Sequence, residues 1–187
     1  NFHYPSCPFL SATDLNFEIV SGERIAINGS NGSGKTTLIE LLLQKQKPGT
    51  GSVTTALTNS LYIDQEYSLL RNDLTVYEQA QVFNTYALQE HEIKMRLNRF
   101  LFSKADWDKC CQALSGGEKM RLLLCALTIR AQAPDMIILD EPTNNLDIQN
   151  LEILTQSLNS YQGTLLIVSH DSFFLQEIGI TRTIFLS

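Results

Sequence analysis

Apolar positions along the chain follow two rhythms, and each predicts a different kind of element. Asp14-Leu15-Asn16-Phe17-Glu18-Ile19 alternates polar and apolar residues, the period-two pattern of a strand with one wet face, so an antiparallel strand is expected to open the domain. Short apolar runs at Arg24 to Asn28, Leu61 to Ile63, Met136 to Leu139 and Thr164 to Val168 predict further strands. Between them the spacing turns helical. Leu38, Ile39, Leu41, Leu42 and Leu43 coat a helix that begins at Lys35 and must stop before Pro48-Gly49, because proline cannot continue it. Val76, Ala80 and Phe83, with a second stretch from Leu88, predict a small helical subdomain inserted at about 73–115. Met120, Leu123, Leu124 and Leu127 fall at i, i+3, i+4 and i+7 on one face of a later helix, and Gln149 to Leu158 reads as another. Strands alternating with helices imply an α/β fold around a mainly parallel sheet.

Chemistry gathers where strands end. Gly29-Ser30-Asn31-Gly32-Ser33-Gly34-Lys35-Thr36 has the spacing of a P-loop, with a strand before it and a helix after it. Its glycines let successive N–H groups turn inward on phosphate oxygens, and the helix start adds partial positive charge at the same place. Lys35 is expected to reach the β- and γ-phosphates and Thr36 to place its hydroxyl on Mg²⁺, while Thr37 supports the helix start. Met136-Ile137-Ile138-Leu139-Asp140-Glu141 delivers two carboxylates to the C-terminal end of a strand, where ligands bind in open α/β sheets. Asp140 is expected to hold the metal, through water, and Glu141 to polarise the water that attacks the γ-phosphate. These two motifs alone do not separate kinases, GTPases, helicases and transport ATPases.

Leu114-Ser115-Gly116-Gly117-Glu118 narrows the class, for here the chain resembles an ABC ATPase over nearly its whole length. The resemblance implies a P-loop NTPase fold with a mainly parallel central sheet, an antiparallel β subdomain on the N-terminal side and a small helical subdomain. It also implies ATP and Mg²⁺ as ligands, and ATP hydrolysis. In that family the signature turn, here Ser115, Gly116 and Gly117, caps the γ-phosphate held by a second ABC domain. That is physically reasonable, since glycines at a helix start expose N–H donors and the serine adds a hydroxyl. By the same resemblance Gln65 senses the metal and the attacking water, His170 contacts the γ-phosphate, and Asp147 lies in a loop that crosses to the partner domain. Tyr4 stands about where the family stacks an aromatic on adenine, with Phe2 and Phe9 as alternatives.

Glu141-Pro142-Thr143-Asn144-Asn145-Leu146-Asp147 and Val168 to Phe174 resemble the ABC-F branch. Its members are cytosolic, carry two such domains in tandem and work without transmembrane partners, several of them on the ribosome and some in antibiotic resistance. The expected partners are therefore a second ABC domain and, through the full-length protein, the ribosome. The alternative is the ATPase subunit of a membrane transporter, gripping a transmembrane subunit through the helical region. A DNA-organising head would need a long coiled-coil insertion between Lys35 and Asp140, and the sequence has none.

Composition changes this picture little. At 187 residues and 43% hydrophobic the chain suits one domain, and its start at Asn1 and its apolar end lead us to expect a fragment of a longer polypeptide. Its longest apolar stretches fall far short of the roughly 20 residues that cross a bilayer, so no membrane insertion is expected. A net charge of -6 makes the surface a poor counterion for nucleic acid, and Lys94, Arg96, Arg99 and Lys104 read as a solvated helix face, with ribosomal RNA contact as the alternative. Cys7, Cys110, Cys111 and Cys125 lack metal-ligand spacing and read as reduced thiols.

Overall fold

The computed structural model describes residues 15–56 and 59–186. Their contacts divide into two compact units, one within Asn1–Tyr62, Asp135–Pro142 and Gly163–Ser187, the other within Ile63–Pro134 and Thr143–Gln162.

The first unit is built on the sheet. Strands β1 (Arg24–Gly29), β2 (Ser60–Ile63), β3 (Met136–Asp140), β4 (Thr164–Val168) and β5 (Arg182–Leu186) take the order β2-β3-β4-β1-β5. β1 pairs in parallel with β4 and β5, and β3 with β4, in a register that sets Asp140 opposite Val168 and Gly29 opposite Leu186. Ile25 to Ile27, Ile137 to Leu139 and Leu165 to Val168 are fully buried, which is why these strands read as unbroken apolar runs rather than alternations. Helix α1 (Lys35–Leu42) follows β1 and buries Leu38, Ile39 and Leu41. It ends before proline is reached: Gln44 turns left-handed at φ 56°, while its N–H bonds to Leu41 and that of Lys45 to Glu40. Those two bonds make a Schellman stop with glutamine in the glycine position. Helix α6 (Ser172–Glu177), which apolar spacing did not reveal, starts on an Asp171 side chain that accepts from the Phe174 N–H.

One expectation is corrected here. Residues 15–20 form no strand. Phe17 and Ile19 pack on the core, while Leu15 is 54% exposed. The alternation thus records which side chains are covered, and no neighbouring strand among the described residues supplies the ladder. Each pairing of named strands given above is parallel, and the N-terminal side on which the antiparallel subdomain is expected lies in part outside the described residues.

The second unit is helical: α2 (Val76–Val82), α3 (Glu90–Arg99), α4 (Gly116–Ile129) and α5 (Ile148–Ser160). Thr75 with Glu78, and Ser115 with Glu118, form capping boxes that set the starts of α2 and α4. α4 was expected to bury one face. It buries Leu122, Cys125 and Ala126 as well as Met120, Leu123 and Leu124, because α2, α3 and α5 all pack on it. Among the described residues no helix is long and apolar enough to cross a membrane.

Candidate functional site

Three glycines shape the loop after β1, for different reasons. Gly32 and Gly34 lie in the left-handed region at φ 82° and 92°, and Gly32 has open space around it, so its requirement is conformational. A Cβ on Gly29 would instead fall 2.5 Å from Ser33 Oγ and 2.6 Å from the Leu186 carbonyl, so its requirement is steric. α1 starts at Gly34 without a side-chain cap and without an acid in its first turn, whereas Thr75, Ser115, Asp147 and Asp171 cap the starts of α2, α4, α5 and α6. The Lys35 ammonium lies across the loop, donating to the Gly29 carbonyl at 2.6 Å and to that of Ser30 at 3.0 Å. Ser33 Oγ is buried with no hydrogen-bond partner among the described residues, and Thr36 is exposed while Thr37 is buried. A loop with these properties fits an anion with several oxygens.

The end of β3 supplies the acids. Asp140 Oδ2 accepts from the Tyr62 hydroxyl on β2 at 3.2 Å. Glu141 continues the ladder by one bond, its N–H donating to the Val168 carbonyl at 2.8 Å, and then turns left-handed at φ 49°. A non-glycine residue in that region is strained, and such strain gathers at functional positions. Its side chain is 14% exposed and lies 3.5 Å from Nε2 of His170, which is 55% exposed. Burial raises the Glu141 pKa, with the charge of Asp140 adding to the rise and those of His170 and Lys35 opposing it. The residues flanking His170 are tied together, for Ser169 Oγ accepts from the Asp171 N–H at 3.1 Å and Asp171 in turn caps α6.

Lys35, Asp140, Glu141 and His170 are thus brought together within the first unit. The oxygen donors available there, the Thr36 hydroxyl and the Asp140 carboxylate, suit a hard cation such as Mg²⁺. Among the described residues no group of three His, Cys, Asp or Glu could hold a metal unaided, so the donor set fits an ion completed by ligand oxygens. Tyr62 was not recognised from sequence as part of this arrangement.

The second unit carries the remaining positions. Gln65 is exposed on a turn in which Asp64 Oδ1 accepts from the N–H groups of Glu66 and Ser68. Ser115 is exposed at the start of α4, where its Oγ accepts from the Glu118 N–H at 3.3 Å and its own N–H donates to Glu118 Oε2 at 2.7 Å. Burial would raise the Glu118 pKa. Hydrogen bonds from Lys109 and from the Ser115 N–H and hydroxyl, with the charge of Lys109, outweigh that and pull it down to about 2. Gly117 is buried rather than open, its face covered by Asn150. Asp147 is exposed and caps α5, accepting from the Asn150 N–H at 2.8 Å. Tyr4, Phe2 and Phe9 lie outside the described residues.

The chain is similar to known proteins. The sequence model of the family described as ABC transporter matches residues 12–144. The ATP-binding protein YdiF of Bacillus subtilis is 41% identical over 94% of this chain, which covers 27% of YdiF. ABC transporter F family member 2 of Arabidopsis thaliana is 38% identical over 87% of the chain, which covers 24% of that relative. The chain therefore spans about a quarter of the length of these curated relatives. A structure of archaeal ribosome recycling factor aABCE1 in complex with the ribosomal stalk protein aP1 matches at TM-score 0.66 and 29% identity, covering 84% of this chain and 31% of its own. The dimeric ATP-binding cassette MJ0796, bound to ADP and Pi after hydrolysis, matches at TM-score 0.73 and 22% identity over 93% and 85% of the two chains, a likeness of fold.

Proposed function

We infer, given that this chain belongs to the ABC transporter family and is an ATPase domain of that family, that it binds Mg-ATP on the Gly29–Thr36 loop and hydrolyses it only when a second such domain supplies the Ser115–Gly117 turn and Asp147. The observation that carries this reading is the buried, left-handed Glu141 beside His170 at the end of β3. Burial raises the basicity of that carboxylate, which favours taking a proton from water. Asp140, whose carboxylate accepts from the Tyr62 hydroxyl, is the residue left to hold the metal. Lys35 and the loop N–H groups bind the β- and γ-phosphates, while the backbone of Gly29, Ser30, Asn31, Gly32, Ser33 and Gly34 wraps them. The Thr36 hydroxyl and the Asp140 carboxylate would hold Mg²⁺, which would supply charge to offset that of the phosphates. His170 contacts the γ-phosphate, and Gln65, exposed on its turn, is the residue to which the family resemblance gives the metal and the attacking water.

The finer assignment is to the ABC-F branch: residues 1–187 as one domain of a tandem pair in a longer cytoplasmic protein that acts on the ribosome, in translation or in antibiotic resistance. The Glu141 to Asp147 wording, the Arabidopsis relative's name and the ribosome-recycling protein among the matched structures support it. A transporter subunit is the second reading, favoured by Val82, Tyr86, Met95 and Leu101, which leave apolar surface exposed in the helical unit.

The test is to replace Glu141 by Gln in the intact polypeptide and add Mg-ATP. Phosphate release should fall by about a hundredfold or more, the usual weight of a lost general base. Nucleotide should stay bound, and the two domains should stay locked together in scattering measurements. Near-normal hydrolysis would remove Glu141 from its role. Co-sedimentation of the locked variant with ribosomes favours the first branch, and its capture by a membrane subunit the second.

A further inference from the structure

The glycine pair that opens α4 is gripped from two sides inside the second unit. A Cβ on Gly117 would fall 2.3 Å from Asn150 Nδ2 and 2.7 Å from Asn150 Cγ, closer than unbonded atoms approach. A Cβ on Gly116 would meet the Tyr67 hydroxyl at 3.7 Å, an ordinary contact. Gly117 is not among the left-handed glycines, so its backbone needs no glycine. Alanine there would favour the helix by about 1 kcal/mol. What glycine provides is room for the Asn150 carboxamide.

Asn150 sits in the first turn of α5 and is 8% exposed. Its side chain covers Gly117 while its backbone N–H donates to Asp147 Oδ1 at 2.8 Å. One residue therefore touches both turns that the function proposed above offers to a neighbouring domain. Ser115 and Asp147 head different helices, and their spacing depends on how the first turns of α4 and α5 abut. The carboxamide lying on a bare backbone is the closest approach seen at Gly117 between those two first turns.

We propose that Asn150 is a positioning residue for the shared nucleotide site, holding the Ser115–Gly117 turn and the Asp147 turn at one separation so that both reach a second domain's ATP together. It touches no substrate. Its effect belongs on turnover rather than on nucleotide binding, since the phosphate loop lies in the other unit. Misplacing a group by 1 Å commonly costs about a hundredfold in rate, and a truncated packing contact that relaxes in part should cost less.

The inference rests on the shared-site reading, so the experiment separates the two in the intact polypeptide. Asn150→Ala should lower kcat about tenfold and leave KM for ATP within about twofold. Gly117→Ala should lower kcat further, because its methyl collides with the carboxamide. The double variant Gly117→Ala/Asn150→Ala should recover about tenfold over Gly117→Ala alone, the non-additivity expected of side chains in contact. Ser115→Ala is the control. If it lowers kcat while Asn150→Ala does not, or if the double variant recovers nothing, the positioning role is overturned and the shared site stands. If Ser115→Ala leaves kcat unchanged, the shared site falls and the positioning role with it. Should Gly117→Ala fail to fold by circular dichroism, the kcat and KM of Asn150→Ala decide. A loss of melting temperature without that split would mean packing alone.

Discussion

The function proposed for Glu141 requires an anion in a place that penalises one. Burial raises its pKa, and His170 and Lys35 oppose the rise without cancelling it. The sign follows from linkage: a carboxyl raised on folding favours the fold below its ordinary range, and that contribution is lost as pH climbs through the raised value. At neutral pH the charged side chain therefore works against stability. Glu141→Gln should melt at a higher temperature than wild type at pH 7 and at the same temperature near pH 4, read by calorimetry. An unchanged difference across that range would mean that the carboxylate is not held at a cost. At this scale the phosphate loop and the two acids were legible because glycine spacing and a strand end are local signals. Tyr62 and Asn150 were not, since each is defined by a partner distant in sequence, Asp140 for the first and Gly117 for the second.

Elements were legible where local chemistry and tertiary packing agree. β4 and the start of α4 stand where expected because a β-branched apolar run and a Ser-x-x-Glu cap carry their own boundaries. The alternation at residues 14–19 misled because partial burial of Phe17 and Ile19 does not supply a hydrogen-bonding neighbour. α6 escaped because its six residues are too few for a helical period to register, although Asp171 marks its start. The start of α4 also carries a pH signature. Lys109 Nζ lies 2.7 Å from Glu118 Oε1, and the Glu118 carboxyl falls to about 2. A lowered carboxyl stabilises above its ordinary range, and that contribution is lost as pH falls from there towards about 2. Glu118→Gln should therefore cost about 1 kcal/mol at pH 7, a figure reduced for solvent screening of a partly exposed pair. The gap in denaturant midpoint should close as pH approaches 2.5. A gap that persists there would assign the loss to helix geometry instead.

At the scale of the molecule, the motifs are divided between two units of the chain: the loop, Asp140, Glu141 and His170 in the first, Gln65, Ser115–Gly117 and Asp147 in the second. Sequence anticipated an α/β frame with a helical insertion, but it could not show that α4 and α5 group with α2 and α3, because that grouping depends on contacts among helices rather than on order along the chain. The division matters for catalysis. If each site takes its loop from one domain and its signature turn from another, two different defects placed in separate chains should complement. Lys35→Ala removes the phosphate grip and keeps Ser115, while Ser115→Ala does the reverse. Neither variant of this chain should turn over ATP alone. In an equal mixture half of the symmetric pairs are hybrids, and each hybrid carries one intact composite site, so activity should return to about a quarter of wild type. The mixture should also regain activity in proportion to hybrid formation as total concentration rises, which a phosphate-release assay follows directly. An inactive mixture, with hybrids confirmed by cross-linking, would mean that each domain completes its own site.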